Sequence, residues 1–281
     1  MSIKKILLYS MLVGSLFADV KFNVGDNLDK QVLQVEKIKL ARNRTINIHS
    51  IDVILKKKLP NNWIGYMFNI NLTAKNRTFD AKDMIFTNGK EITNRIKSLE
   101  GLDYKRLMHP SLDKRYYDKS FLIAGDENAK HKMVIFSDPL CPICINVVPD
   151  LISKIKKYPN EIALYYIHMP LKMHPTASLI VRAVLEAKKQ GIVNMDYKIY
   201  TANFEKDFDA YVEQNQSKVL NIFNKKFNTK FTLEQISTNE LKEEEQLGLK
   251  LSEDALVNGT PTVFFDGEID LTRSKYLIFL K

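Results

Sequence analysis

The sequence predicts a mixed fold of two domains, a small α+β domain followed by a larger α/β domain. A length of 281 residues fits about two domains of ordinary size. In the first third of the sequence, two segments with alternating apolar residues flank a turn sequence, which is typical of an antiparallel hairpin. Further on, the apolar segment 132–137 runs directly into a Cys-x-x-Cys motif and a helical pattern, as a strand followed by a helix would.

Residues 1–18 have the parts of an export signal. Lys4 and Lys5 give a positively charged start, residues 6–17 form an apolar run, and Ala18 precedes the expected cleavage point. The apolar run is shorter than the ~20 residues that a membrane-spanning helix needs. We therefore expect a cleaved signal peptide, with an uncleaved membrane anchor as the alternative.

Residues 19–90 are predicted to form the small α+β domain. Its first segment, 28–40, fits either a short helix or an opening strand, because its apolar residues follow neither period cleanly. Aromatic and β-branched residues then mark the two strands of the hairpin, which are separated by a Pro-Asn-Asn turn sequence and lie at 46–55 and 63–72. A short strand at 84–86 is expected to follow.

Residues 91–115 are predicted to form a linker helix. Ile92, Ile96 and Leu99 are spaced four and three positions apart, as they would be on one face of a helix. Gly101 is expected to interrupt this helix and Pro110 to end it.

Residues 116–281 are predicted to form the larger domain. The expected order is a strand, a helix, a second strand, a helical insertion over about 176–257, a strand leading into a tight turn, and a terminal helix. The strands are placed at 132–137, 162–169 and 262–265, and the terminal helix at 271–281.

The charge of the chain does not identify a partner. Lys and Arg number 42 against 33 Asp and Glu, which gives a formal net charge of +9. The basic residues form only short runs between apolar stretches, and no nucleic-acid-binding motif accompanies them. We therefore expect solvated basic faces and no nucleic-acid partner.

The two cysteines of the chain, Cys141 and Cys144, are the strongest candidates for chemistry. The motif Cys141-Pro142-Ile143-Cys144 follows a strand and opens a helix, where unpaired backbone N–H groups stabilise a thiolate. Cys141 is thus predicted to be the nucleophile that attacks a disulfide, and Cys144 the resolving thiol. Pro142 suits the first helical turn because it has no N–H to leave unpaired.

Two other interpretations of the cysteine pair are less favoured. A structural disulfide between them would close a very short loop and restrict the unfolded chain little. A zinc site needs four ligands, and the chain has no second Cys or His pair at ligand spacing. We therefore expect redox chemistry without a metal or other cofactor.

A second motif, Gly259-Thr260-Pro261-Thr262, precedes the strand at 262–265. A cis-proline at this place would lie beside the cysteines and expose backbone groups to an extended substrate. The alternative is a proline that merely begins an edge strand.

Together these residues resemble the thioredoxin superfamily, and more narrowly the periplasmic Dsb proteins of the DsbC and DsbG type. The resemblance rests on Phe136-Ser-Asp-Pro-Leu-Cys-Pro-Ile-Cys144 and on the Thr260-Pro261 loop. It implies a thioredoxin-like catalytic domain with a helical insertion, preceded by a cystatin-like dimerisation domain and a linker helix. It also implies a homodimer in the periplasm.

The resemblance implies a disulfide isomerase or reductase that acts on exported proteins with cysteines. In such a protein Cys141 attacks, Cys144 resolves, and Thr260 with Pro261 contacts the substrate. A membrane thiol reductase of the DsbD kind would keep the pair reduced. Pro142 and Ile143 differ from the usual residues between the cysteines and are expected to tune the reduction potential.

Two alternatives remain open. The first is a DsbA-like oxidase that introduces disulfides and has an oxidase as its partner, and the second is a chaperone in which redox activity is secondary. Outside the two motifs, side chains of chemical interest are predicted to be structural: Asp138, Tyr165, Tyr166, His168, His174, Phe264 and Phe265.

Overall fold

The computed structural model describes residues 28–280. They form two compact units, of which the first ends at Pro110 and the second begins at Ser111. The predicted signal peptide, residues 1–18, lies outside the described residues. Within the described range, no helix has both the length and the apolar character needed to cross a membrane.

The first unit contains one helix and a four-stranded antiparallel sheet. Its elements are α1 (Leu28–Ala41), β1 (Ile46–Lys58), β2 (Ile64–Ala74), β3 (Arg77–Thr87) and β4 (Ile92–Thr93), and the strands lie in sequence order. The predicted hairpin is confirmed, and segment 28–40 is helix rather than strand. Val32 of α1 packs on the apolar face of the sheet, which includes Tyr66, Phe68 and Ile70.

The predicted linker helix over 91–115 is wrong. Ile92 lies in β4, which pairs with the end of β3, and Leu99 is fully exposed, so the two do not share a helical face. Gly101 has φ of +85°, a left-handed conformation that ends any α-helix. The segment instead contains a short 3₁₀ helix, Tyr104–Leu107, capped by the Asp103 side chain, and reaches the start of a second one, Lys114–Tyr117. Strand pairing and backbone conformation therefore override the helical spacing.

The second unit is a five-stranded mixed sheet with helices. Its elements are β5 (Leu122–Ala124), β6 (His131–Ser137), α2 (Pro142–Ile155), β7 (Ile162–His168), α3 (Ala177–Lys189), α4 (Met195–Thr201), α5 (Gln216–Phe227), α6 (Asn239–Asp254), β8 (Thr262–Phe265) and β9 (Glu268–Ile269). The strand order is β5-β7-β6-β8-β9. The predicted α/β class and the helical insertion, α3 to α6, are confirmed.

Strands β6 and β7 are the centre of this sheet. They run parallel and are connected through α2, whereas β8 pairs antiparallel with β6. Alternate residues of β6 face opposite sides: Met133 and Ile135 pack in the core that holds the cysteines, and Val134 and Phe136 in the core on the other side. Helix α2 therefore begins at the carboxyl end of a strand that is buried on both faces.

The predicted terminal helix over 271–281 is also wrong. Within the described residues this segment contains only the 3₁₀ helix Lys275–Phe279. The Asp270 carboxylate accepts hydrogen bonds from the backbone N–H groups of Thr272, Arg273 and Lys275. These bonds fold the segment into a turn, and Arg273 takes a positive φ of +57°, which an α-helix does not allow.

Gly125 is a position where the fold requires glycine. It has φ of +81°, and a Cβ atom there would overlap the Ile162 carbonyl oxygen of β7. We expect Gly125→Ala to lower the free energy of unfolding by roughly 2–4 kcal/mol, through left-handed strain and steric overlap. Gly191→Ala is the matched control, because Gly191 has φ of +82° with open space around it. Denaturant unfolding of both variants measures the difference, and an equal loss in both would contradict the steric part.

Candidate redox-active site

Cys141 lies at the junction between β6 and α2, where it is the N-cap of the helix. Its backbone is extended, with φ of −72° and ψ of 121°, and its carbonyl accepts the N–H of Ile145 at 3.1 Å. Pro142 occupies the first helical turn, as predicted. The sulfur of Cys141 therefore lies at the positive end of the helix, beside N–H groups that have no partner within the helix.

The surroundings of Cys141 favour its thiolate. The pKa of Cys141 is lowered from 9.0 to about 5, mainly by the hydrogen bond that the Cys144 thiol donates. Burial opposes this shift, while Thr260 and the N–H groups of Cys144 and Ile143 add to it. Cys141 is only 6% exposed. At neutral pH Cys141 is therefore an ionised nucleophile, although most of its surface is buried.

Cys144 has the opposite character. It is completely buried, and burial, followed by the neighbouring Cys141 thiolate, raises its pKa above the ordinary value. A hydrogen bond from the Ser137 hydroxyl group acts in the other direction and lowers the pKa of Cys144. Both thiols are free. The pair thus consists of one ionised and one protonated sulfur, which is the arrangement that attack followed by resolution needs.

The Thr260–Pro261 peptide bond is cis, which is the first of the two alternatives that the sequence leaves open. The Cys141 sulfur lies 3.5 Å from the Thr260 carbonyl oxygen. The hydroxyl of Thr260 is buried, and that of Thr262 donates to the Gly259 carbonyl oxygen at 2.7 Å, which closes the loop. The fold therefore brings together the two motifs that the sequence predicts to share a site.

Asp138 organises the loop before Cys141. Its carboxylate accepts the N–H groups of Leu140 and Leu171, each at 2.6 Å, and lies 2.9 Å from Nδ1 of His174. Burial acts to lower the pKa of His174, but Asp138 and then Cys141 outweigh it and raise that pKa. Asp138 has the structural role that the sequence predicts, because it connects the cysteine loop to the segment after β7.

The two residues between the cysteines lie at the surface. Pro142 and Ile143 are both exposed, and Ile143 keeps 52% of its accessible area. No group of three His, Cys, Asp or Glu residues in the described part of the chain is arranged to hold a metal ion.

Among the other candidates, Tyr165, Phe264 and Phe265 are core residues, as predicted. Tyr166 is buried too, but its hydroxyl lies 2.6 Å from that of Tyr200, which in turn lies 2.7 Å from the hydroxyl of Ser137. Sequence reasoning missed Tyr200, because it lies in the helical insertion far from both motifs and no spacing connects it to Cys144.

Residues 118–276, which are more than half of the chain, match the sequence profile of a family described as "Thioredoxin". The chain belongs to the thioredoxin family. The matched stretch of this thioredoxin-family chain contains Cys141, Cys144 and Pro261, whereas the first unit lies outside it. No curated protein matches the chain.

Solved structures share the thioredoxin-like fold. A candidate protein-disulfide isomerase from Pseudomonas syringae is 14% identical, with a TM-score of 0.51 over 59% of this chain and 99% of that one. The catalytic domain of Proteus mirabilis ScsC is 20% identical, with a TM-score of 0.44 over 59% and 91%. A periplasmic thioredoxin-like protein from Salmonella enterica serovar Typhimurium is 19% identical, with a TM-score of 0.43 over 56% and 84%.

Proposed function

We propose that the chain is a periplasmic thiol-disulfide oxidoreductase that acts on the cysteines of exported proteins. The observation that carries the proposal is the pairing of a stabilised Cys141 thiolate with a buried, protonated Cys144 beside the Thr260–Pro261 loop. The export signal that the sequence predicts supports the location. The catalytic residues are Cys141 and Cys144, and Thr260 with Pro261 contacts the substrate.

The reaction proceeds in two exchanges. The Cys141 thiolate attacks one sulfur of a substrate disulfide, so that a mixed disulfide forms and the other substrate sulfur leaves as a thiolate. In isomerisation that thiolate, or another substrate thiol, attacks the mixed disulfide and releases Cys141. In reduction Cys144 attacks Cys141, the substrate leaves as a dithiol, and the protein is left with the Cys141–Cys144 disulfide.

We favour net isomerisation or reduction of the DsbC and DsbG type, with a membrane thiol reductase of the DsbD kind as electron donor. A stabilised Cys141 thiolate favours the dithiol state of the pair, which is the state that isomerisation uses. The same stabilisation makes the disulfide state a strong oxidant, and this observation supports a DsbA-like oxidase as the second candidate.

The redox state of the pair in cells separates these two candidates. After acid quenching and alkylation, mass spectrometry of the exported protein is expected to find Cys141 and Cys144 mostly reduced. A mostly oxidised pair would instead establish the oxidase. The Cys141→Ser variant is the control, because its single remaining thiol cannot form the internal disulfide.

We further propose that residues 19–90 mediate homodimerisation. The part of this segment that the structure describes is a sheet with its own core, and apolar side chains remain exposed on its strands, among them Val53, Ile54 and Phe79. We propose that these side chains contribute to the contact between the two copies.

Light scattering tests the dimer. The full exported chain is expected to have the mass of two copies, and the chain that begins at Ser111, where the second unit begins, the mass of one. A monomeric full chain would contradict the proposal, and a dimeric second unit would place the interface elsewhere.

A further inference from the structure

Three hydroxyl groups form a continuous buried network behind Cys144, which we call the hydroxyl network: Ser137, Tyr200 and Tyr166. Ser137 ends β6, Tyr166 lies on β7, and Tyr200 lies on α4. The Ser137 and Tyr200 oxygens are 2.7 Å apart, and the Tyr200 and Tyr166 oxygens 2.6 Å apart. All three side chains are at most 2% exposed. The network thus crosses three elements of the fold and is closed to solvent.

The protons of this network can all point toward the sulfur of Cys144. Each hydroxyl has one proton to donate. When Ser137 donates to Cys144, its oxygen can accept from Tyr200, and the oxygen of Tyr200 can in turn accept from Tyr166, because either oxygen of each pair can be the donor. Burial raises the pKa values of Tyr166 and Tyr200 well above their ordinary value, which keeps both hydroxyls protonated. Hydrogen bonds aligned in this way strengthen one another.

Cys144 needs such a group of donors. To resolve a mixed disulfide it must become a thiolate, yet it is fully buried and its pKa is raised. The two buried carboxylates near the network, Asp138 and Asp196, already pair with other groups. Asp138 pairs with His174, and Asp196 lies 3.5 Å from His168 and 2.9 Å from Lys188.

We propose that the hydroxyl network stabilises the thiolate that Cys144 becomes when it resolves the mixed disulfide. The inference rests on the proposed thiol-disulfide activity and assigns Ser137, Tyr200 and Tyr166 as positioning and stabilising residues for its second step. In that step the Cys144 sulfur loses its proton and forms a bond to the Cys141 sulfur, and the bond between Cys141 and the substrate sulfur breaks. The electron pair leaves with the substrate sulfur, and the proton ends on that sulfur or, if it stays ionised, in the solvent.

The test follows the reaction of the full exported chain with dithiobis(nitrobenzoate), an aromatic disulfide that releases one coloured thiolate in each step. The first release reports attack by Cys141 and depends on reagent concentration, whereas the second reports resolution by Cys144 and does not.

Tyr200→Phe keeps the ring and removes the central hydroxyl. At neutral pH we expect it to slow the second release by about 10- to 100-fold and to leave the first unchanged. The pH profile of the second release should move to higher pH.

Tyr165→Phe is the matched control. Tyr165 precedes Tyr166 on β7 and is as buried as the tyrosines of the network. It lies in the core on the opposite side of the sheet, and its hydroxyl is 3.4 Å from Lys132. Removal of the Tyr165 hydroxyl should leave the rates of both releases unchanged. Ser137→Ala, which removes the group next to the sulfur, is a second variant that should slow the second release if Tyr200→Phe does not fold.

The outcomes separate the inference from the activity on which it rests. If the unmodified protein shows no first release, the proposed activity fails. If both releases occur and Tyr200→Phe or Ser137→Ala resolves at the unmodified rate, the hydroxyl network has no such role. Equal slowing by Tyr165→Phe and Tyr200→Phe would also overturn the inference, because it would show a general effect of core polarity.

Discussion

Replacement of Cys141 by serine is expected to abolish the reduction of insulin and the refolding of a substrate with scrambled disulfides. A serine hydroxyl stays protonated at neutral pH and cannot exchange with a disulfide, whereas the pKa of Cys141 is lowered to about 5. We expect both activities to fall by more than about 10³-fold, the scale seen when a covalent nucleophile is removed. Rates of turbidity development and of substrate reactivation measure the loss.

Cys144→Ala is the companion variant for this prediction. It keeps the attacking sulfur and removes the resolving one, so turnover should slow while mixed disulfides accumulate. Circular dichroism of both variants checks that the fold is retained. Substantial insulin reduction by Cys141→Ser would contradict the assignment of the nucleophile.

Alkylation of the reduced protein by iodoacetamide is expected to show a rate that hardly changes between pH 8 and pH 6 and falls below about pH 5. The reason is that the pKa of Cys141 is lowered from 9.0 to about 5, so the thiolate persists over the whole neutral range. An unperturbed thiol would lose about tenfold in rate for each unit of pH over the same interval. In Cys144→Ala the fall should begin at higher pH, because the largest cause of the lowered pKa is removed.

The same shift gives the stability of the reduced protein a defined pH dependence. The pKa of Cys141 is lower in the folded state than in the unfolded state, so its ionisation stabilises the fold. This contribution is complete above about pH 9, declines as the pH falls and is lost below about pH 5. The oxidised protein has no such thiolate. If the difference in free energy of unfolding between the reduced and the oxidised protein does not change from pH 8 to pH 5, the lowered pKa of Cys141 is contradicted.

The sequence predicts most of the candidate site, because both of its motifs are local. A strand that leads into Cys141, a helix that opens at Pro142 and a proline before β8 each follow from neighbouring residues. The parallel pairing of β6 and β7 follows from the same order of elements.

Other features depend on contacts that no local pattern contains. Strand pairing draws Ile92 into β4, and so the linker helix does not form. The Asp270 carboxylate turns the terminal segment. Tyr200 comes from the insertion, and only the packing of α4 brings its hydroxyl to Ser137. In each of these three places tertiary contacts determine the conformation, and they override or extend the preference of the local sequence.

Trapping a mixed disulfide between Cys141 and exported proteins tests the proposed mechanism at its first step. Cells that express the full-length Cys144→Ala variant are quenched with acid and alkylated, and adducts of the protein are separated before and after reduction. We expect several reducible adducts, with mass spectrometry placing the linkage at Cys141 and identifying the partners as exported proteins that contain cysteine. The absence of adducts, or adducts that persist when Cys141→Ser is added to the variant, would contradict the role of Cys141 as the nucleophile.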